Sequence, residues 1–177
     1  MKKVIVFICI ILCLLLCCCS AKTIEEKNGY SFPNIEKKFS HSFAPNSITS
    51  SSCHIIKTKD ELDTYLASNS DIQTLYNLTI AGTEYEAYCT TEAFDTTFLF
   101  VVIDYQATNT TSTIELLFNK KTDRLCPLRR VINDSEEIKP SVRVYAYALN
   151  KSDFNDLKNL YFEKVVDYYY FYYNFMK

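Results

Sequence analysis

Phe98-Leu99-Phe100-Val101-Val102-Ile103 is an unbroken run of six large apolar residues, and its reading decides the fold. A run of this length with no polar member has the character of a central strand covered on both faces. It is the spine from which the remaining elements follow. Segment 111–118 alternates, with Ile114, Leu116 and Phe118 on one face and Thr113 and Glu115 on the other. Segment 119–123 supplies a polar turn, and 124–132 returns as a more polar strand. Pro127 cannot donate to a ladder, which puts this strand at an edge or gives it a bulge. Segment 141–149 alternates again: Val142, Val144, Ala146 and Ala148 face one way, Arg143, Tyr145, Tyr147 and Leu149 the other.

On the N-terminal side of the spine, 53–57 reads as a short strand. Thr58-Lys59-Asp60-Glu61 is a capping box, whose hydroxyl and carboxylate reciprocally satisfy free backbone donors at a helix start. Leu62, Tyr65 and Leu66 follow at helical spacing, and Ile72, Leu75 and Tyr76 repeat the period over 71–77. Phe94 is placed to plug the core ahead of the spine. The expected fold class is α+β: an antiparallel meander sheet of four to five strands with one or two helices packed on one face. Toward the C-terminal end, Ser152 or Asp153 can cap a helix with Phe154, Leu157, Leu160 and Tyr161 at helical spacing, and the aromatic tail over 168–175 reads as a closing strand or as a membrane-adjacent or disordered end.

The chain has 177 residues, and five of its eight cysteines fall in the first 19. Met1-Lys2-Lys3 followed by an apolar stretch from Val4 has the charged start and the hydrophobic run of a secretory signal peptide. Leu16-Cys17-Cys18-Cys19-Ser20 resembles the end of a bacterial lipoprotein signal, with Cys19 as the lipid acceptor. Cleavage after Ala21 and retention as an anchor are the competing readings. All three place the domain outside the cytoplasm, and the first holds it at a membrane by acyl burial. Residues 1–19 are therefore read as a lipoprotein-type signal peptide, 20–47 as a flexible tether rich in Ser, Asn and Lys with two prolines, and 48–177 as one α+β domain.

Without residues 1–19, the 19 Lys and Arg lose Lys2 and Lys3 while all 21 Asp and Glu remain, so acids exceed bases by four. A dedicated nucleic-acid binder needs a basic excess, so no nucleic-acid partner is expected. The two glycines, Gly29 and Gly82, exclude glycine-loop nucleotide binding.

Chemistry is sparse. His41 lies in the tether reading, which leaves His54 beside Cys53; neighbours on a strand point to opposite faces, so these two cannot form a dyad. Cys53, Cys89 and Cys126 lack paired metal-ligand spacing, so no metal site and no cofactor are expected. Three buried thiols and a single disulfide are both compatible with their separation. Lys120, Lys121, Arg124, Arg129 and Arg130 concentrate positive charge on one hairpin of an acidic domain. They form the candidate partner-binding patch; the plainer account is a solvated hairpin with a charged edge.

The capping-box helix, Phe94, the run 98–103, and the alternating strands at 114–118 and 142–149 together resemble small bacterial lipoproteins carrying a domain similar to the C-terminal domain of PrcB, an accessory subunit of a protease complex. That resemblance implies a non-catalytic lipoprotein that helps to assemble or stabilise a surface complex, and it brings no catalytic residues with it. The expected function is a membrane-anchored extracytoplasmic module that binds another extracytoplasmic protein. A lipoprotein that binds a small ligand or glycan through its tyrosines is the alternative, and a small enzyme depending on Cys53, His54, Cys89 or Cys126 is the third.

Overall fold

A computed structural model describes residues 29–108, 110–133, 137, 139–154, 156–157, 160–162 and 165–167. The signal-peptide segment with Cys19 and the aromatic tail over 168–175 lie outside the described residues. The elements in chain order are β1 (Tyr30–Ser31), β2 (Ile35–Phe43), β3 (Ser52–Ile56), α1 (Lys59–Ser68), α2 (Ser70–Thr79), a 3-10 turn (Glu86–Cys89), and α3 (Ala93–Thr96). Then come β4 (Thr97–Gln106), β5 (Thr111–Asn119), β6 (Arg124–Asn133), β7 (Ser141–Asn150), a second 3-10 turn (Lys151–Asp153), β8 (Tyr161–Phe162) and β9 (Val166–Asp167). No helix among the described residues is long and apolar enough to cross a membrane.

The fold is α+β, with helices on one face of an antiparallel sheet. Its strands, however, divide between two sheets instead of forming one meander. One sheet has the order β2-β7-β4-β3, and the other runs β1-β5-β6-β8 with β9 also on β6. The reason lies in the spine. A strand apolar on both faces needs a covering layer on each side, and the helices supply only one. Leu99, Val101 and Ile103 pack under α1 and α2, while Phe98, Phe100 and Val102 pack against Ile114, Leu116, Phe118 and Leu125 of the second sheet. The apolar stripe of β5 thus lies over β4 instead of beside it, and β4 pairs with β7. β7 divides in the same way, with Val142, Val144 and Ala148 toward the helices and Tyr145, Tyr147 and Leu149 toward the second sheet.

The reading of 20–47 as a tether is corrected from residue 29 onward. Tyr30 and Ser31 pair with Asn119 and Phe118 of β5, and β2 runs the length of β7 as an edge strand. Its polar composition is that of an edge: only Phe39 is buried, and Lys37, Lys38 and a bulge between Ile35 and Lys37 blunt the unpaired side.

The expectation that Pro127 marks an edge or a bulge is corrected: β6 lies between β5 and the short strands β8 and β9, Pro127 stands in register with Leu116, and the ladder's register shift falls between Thr111 and Ser112. On the far side of β6, β8 pairs with Arg124 and Leu125, and β9 with Leu128 and Arg129. The parallel ladder is interrupted where the proline has no N–H to give. The helix considered for the C-terminal end is replaced by the 3-10 turn at Lys151–Asp153, after which Phe154 and Leu160 enter the core between the sheets.

Candidate binding cavity

The N-cap forms at α1 as expected, but the return bond of the capping box goes to the residue before the cap. Thr58 Oγ1 accepts from the Glu61 N–H at 3.1 Å, and Glu61 Oε2 accepts from the Lys57 N–H at 2.6 Å. With its start fixed, α1 lays Leu62, Tyr65 and Leu66 on the sheet, and α2 adds Ile72, Leu75 and Tyr76. The floor beneath them is Leu99 and Val101 of β4 and Val144, Ala146 and Ala148 of β7. The two alanines occupy helix-facing positions where larger side chains would close the space. A cavity of about 60 Å³ remains.

The segment after α2 forms the side wall with Ile80, Tyr85, Tyr88 and Cys89, and β2 brings Lys37 and Phe39 to the mouth. Lys37 Nζ lies 2.8 Å from Glu84 Oε1 and 4.9 Å from the centre of the Tyr85 ring, while Phe39 meets Tyr85 edge-on at 5.4 Å. These contacts latch the 80–89 segment to β2. The hydrogen bond to Glu84 raises the Lys37 ammonium above its ordinary value.

Polar side chains interrupt the largely apolar lining. The Cys89 thiol donates to the Tyr85 carbonyl at 3.8 Å and also bonds with Tyr76. Burial pushes Cys89 up to about 11 and Tyr76 up to about 12, so both are neutral at ordinary pH. Tyr65 is also among the lining residues. Its hydroxyl is buried with no hydrogen-bond partner among the described residues, and burial, with the neighbouring Cys53, raises its ionisation well above the usual tyrosine range.

The residues considered for catalysis are held apart. Cys53 sits in the core between the sheets, its thiol pushed up to about 12 chiefly by burial. His54 points to the other face, against the Tyr65 ring at 4.7 Å, and Cys89 lines the cavity. Cys126 is buried on β6. A pairing not anticipated from the sequence is Ser52 Oγ with His54 Nε2 at 3.1 Å. The i, i+2 spacing on one strand was the signal for it. Burial lowers His54, which favours the neutral ring. Among the described residues no group of three or more His, Cys, Asp or Glu side chains is arranged to hold a metal.

The basic hairpin does not act as one surface. Lys120 and Lys121 are exposed on the β5–β6 turn, where the stem of Lys121 lies over Gly29. Arg130 pairs with Glu115 at 3.1 Å. Arg124 is half-buried, and Arg129 turns inward to Asp104, which is wholly buried between the sheets. Parity assigns them: on β6 the odd positions 125 and 129 face the other sheet, and the even ones 124 and 130 face away. No protein-family model matches the chain, and neither the curated proteins nor the solved structures contain a match to it.

Proposed function

We propose that the domain is a non-catalytic, extracytoplasmic binding protein, held at a membrane by lipid on Cys19, whose cavity receives a short apolar group carried by a ligand with one hydrogen-bonding atom. The observation that carries this reading is the Tyr65 hydroxyl. A buried hydroxyl without a partner costs about 1–3 kcal/mol, and here it belongs to a tyrosine that lines a largely apolar space under the helices. A ligand that offers an acceptor or a donor to Tyr65 removes that cost while its apolar part fills the space. An apolar cavity of about 150 Å³ holds benzene, so about 60 Å³ fits a branched alkyl group or the edge of a ring. The remainder of the ligand leaves past Lys37 and Tyr85. The leader pattern at 16–20 supports the location, and the resemblance to the PrcB domain agrees with a role without turnover.

The test is methyl NMR at Leu66, Leu75, Val101 and Ala148 during titration with 2-propanol and with propane, which are small enough for the space. Saturable shifts, with the alcohol favoured about tenfold in the native chain and the preference lost in Tyr65→Phe, are the expected result. Absence of saturable shifts from both probes, or shifts that persist unchanged when Ala148→Leu fills the space, overturns the reading. Intact-mass analysis of the membrane-extracted protein tests the anchor, with a diacylated Cys19 as the N-terminus expected and an N-terminal Lys22 against it.

A further inference from the structure

The two edges of the helix-covered sheet are built differently. β2 carries Lys37 and Lys38 and has a bulge in its ladder with β7, ordinary devices that keep an edge from pairing. β3, at the opposite edge, reads Ser-Cys-His-Ile-Ile, with no lysine, proline or bulge, and its outer side pairs with no strand among the described residues. Alternate residues of such a strand direct their N–H and C=O groups outward, ready for another strand.

Beside this edge lies a groove of about 530 Å³, walled by His54, Ile55 and Ile56 on one side and by α1 on the other. The strand wall, His54 to Ile56, spans roughly 10 Å, and the ten residues of α1 along the other side span roughly 15 Å. The helix wall presents Asp60 and Glu61 at one end and Thr64 and Ser68 further along, and no Lys or Arg among the described residues lines the groove.

We infer that the β3 edge is a second binding site, taking an extended segment of about five residues from a partner protein that carries Lys or Arg at alternate positions. The segment adds a strand to β3, main-chain hydrogen bonds give the affinity, and its basic side chains lie toward Asp60 and Glu61. This inference does not depend on the cavity: Tyr65 separates the two spaces, and each has its own occupant.

The probe is a blocked, fluorescein-labelled heptapeptide of alternating Lys and Val, read by anisotropy against the full chain in detergent. Its counterparts are a Glu-Val heptapeptide and the Lys-Val peptide with alternate amides N-methylated along one edge. Saturable binding of the Lys-Val peptide is expected. The Glu-Val and N-methylated peptides should bind at least tenfold more weakly, and the amides of residues 53–56 should gain protection from exchange. Asp60→Lys combined with Thr64→Lys, both at exposed positions, should invert the preference toward the Glu-Val peptide while leaving the unfolding midpoint near that of the native chain. Equal binding of both charge types, N-methylation without effect, or no binding at millimolar peptide overturns the proposal. So does a concentration-dependent dimer that protects the same amides without peptide, which would give the edge to a second copy.

Discussion

Arg129 of β6 donates from Nε to Asp104 Oδ1 of β4 at 2.8 Å, joining the two sheets through a carboxylate that has no exposure to solvent. The arginine's Nη2 donates to the same oxygen and, at 3.0 Å, to Ser51 Oγ. Asp104 Oδ2 accepts from Ser112 Oγ and from Gln106 Nε2, both at 2.9 Å. Every acceptor position that matters is thus filled from within the fold, and the charge is matched by a guanidinium. Removing one partner from such a pair leaves a buried charge alone, at a cost of about 3–5 kcal/mol, whereas replacing both with apolar side chains is often close to neutral. Arg129→Leu is therefore expected to lose stability in that range, and Asp104→Leu combined with Arg129→Leu to recover most of it. Urea unfolding of the two single variants and the double completes the cycle. Additive losses would show that the pair is not coupled.

The unpartnered Tyr65 hydroxyl gives an opposite sign. Ordinary truncation of a buried group is destabilising, but Tyr65→Phe removes an oxygen that lacks a hydrogen bond and leaves the ring against His54. The ligand-free Tyr65→Phe variant should be as stable as the native chain or more so, by up to about 1 kcal/mol. Ala148→Val, which adds volume on the cavity floor, should also raise the midpoint, since filling a void commonly gains about 0.5–2 kcal/mol. Chemical denaturation with cavity ligands absent measures both. A loss of 2 kcal/mol or more in Tyr65→Phe would mean that the hydroxyl is already satisfied.

How much of this was legible can be traced residue by residue. Phe98 to Ile103 declared a strand buried on both faces, the Thr58 box placed α1, and the alternation of β7 assigned each of its side chains to the correct layer. What periodicity does not encode is which strands are neighbours. β4 and β5 are sequential but lie in different sheets, because their apolar faces stack instead of continuing one surface. The polar stretch at 35–43 reads as tether in the sequence because an edge strand buries little, and only its register against β7 reveals it. The basic hairpin misled for a related reason: charge counted along the chain ignores that Arg129 shares the inward parity of Leu125, and that Asp104 shares that of Val102. The cavity was the least legible feature, since it depends on Ala146 and Ala148 being small at places where only the assembled helices show that size matters.

Asp71 ties the 44–51 segment to α2. Its Oδ2 accepts from the Ser47 N–H at 2.9 Å, from Ser47 Oγ at 3.0 Å and from the Asn46 N–H at 3.1 Å. The Ser47 backbone bond is the main reason its carboxyl lies below the ordinary carboxylate range, with partial burial opposing it. A depressed native value means that the unfolded chain takes the proton first. The stabilisation is therefore fully present above the unfolded value of about 3.9 and is lost as the pH falls from there through the lowered native value. Amides 46 and 47 should lose exchange protection over that same interval. In Asp71→Asn their protection should be weaker at neutral pH and nearly independent of pH. Protection in the native chain that survives unchanged below pH 2 would show that the carboxylate does not hold the segment.

The β5–β6 turn contains a strained residue that offers a clean backbone test. Asp123 has φ of 47°, the one positive value at a non-glycine position among the described residues, and it sits just before Arg124, where the ladder with Asn119 resumes. Its Oδ1 is buried without a partner among the described residues, so the side chain does not compensate by accepting a local hydrogen bond at that atom. The left-handed conformation costs an ordinary residue about 1–2 kcal/mol, less for Asp, and costs glycine nothing. Glycine also loses more freedom on folding, which offsets part of the gain. Asp123→Gly should therefore be neutral to stabilising by up to about 1 kcal/mol. Asp123→Val, β-branched and without a favourable left-handed state, should destabilise by more than 1 kcal/mol through the same turn. Thermal and urea midpoints of the two variants, measured side by side, decide it. If valine proved no worse than glycine, the turn would be able to relax to a different backbone, and the register of Asn119 with Arg124 would not depend on residue 123.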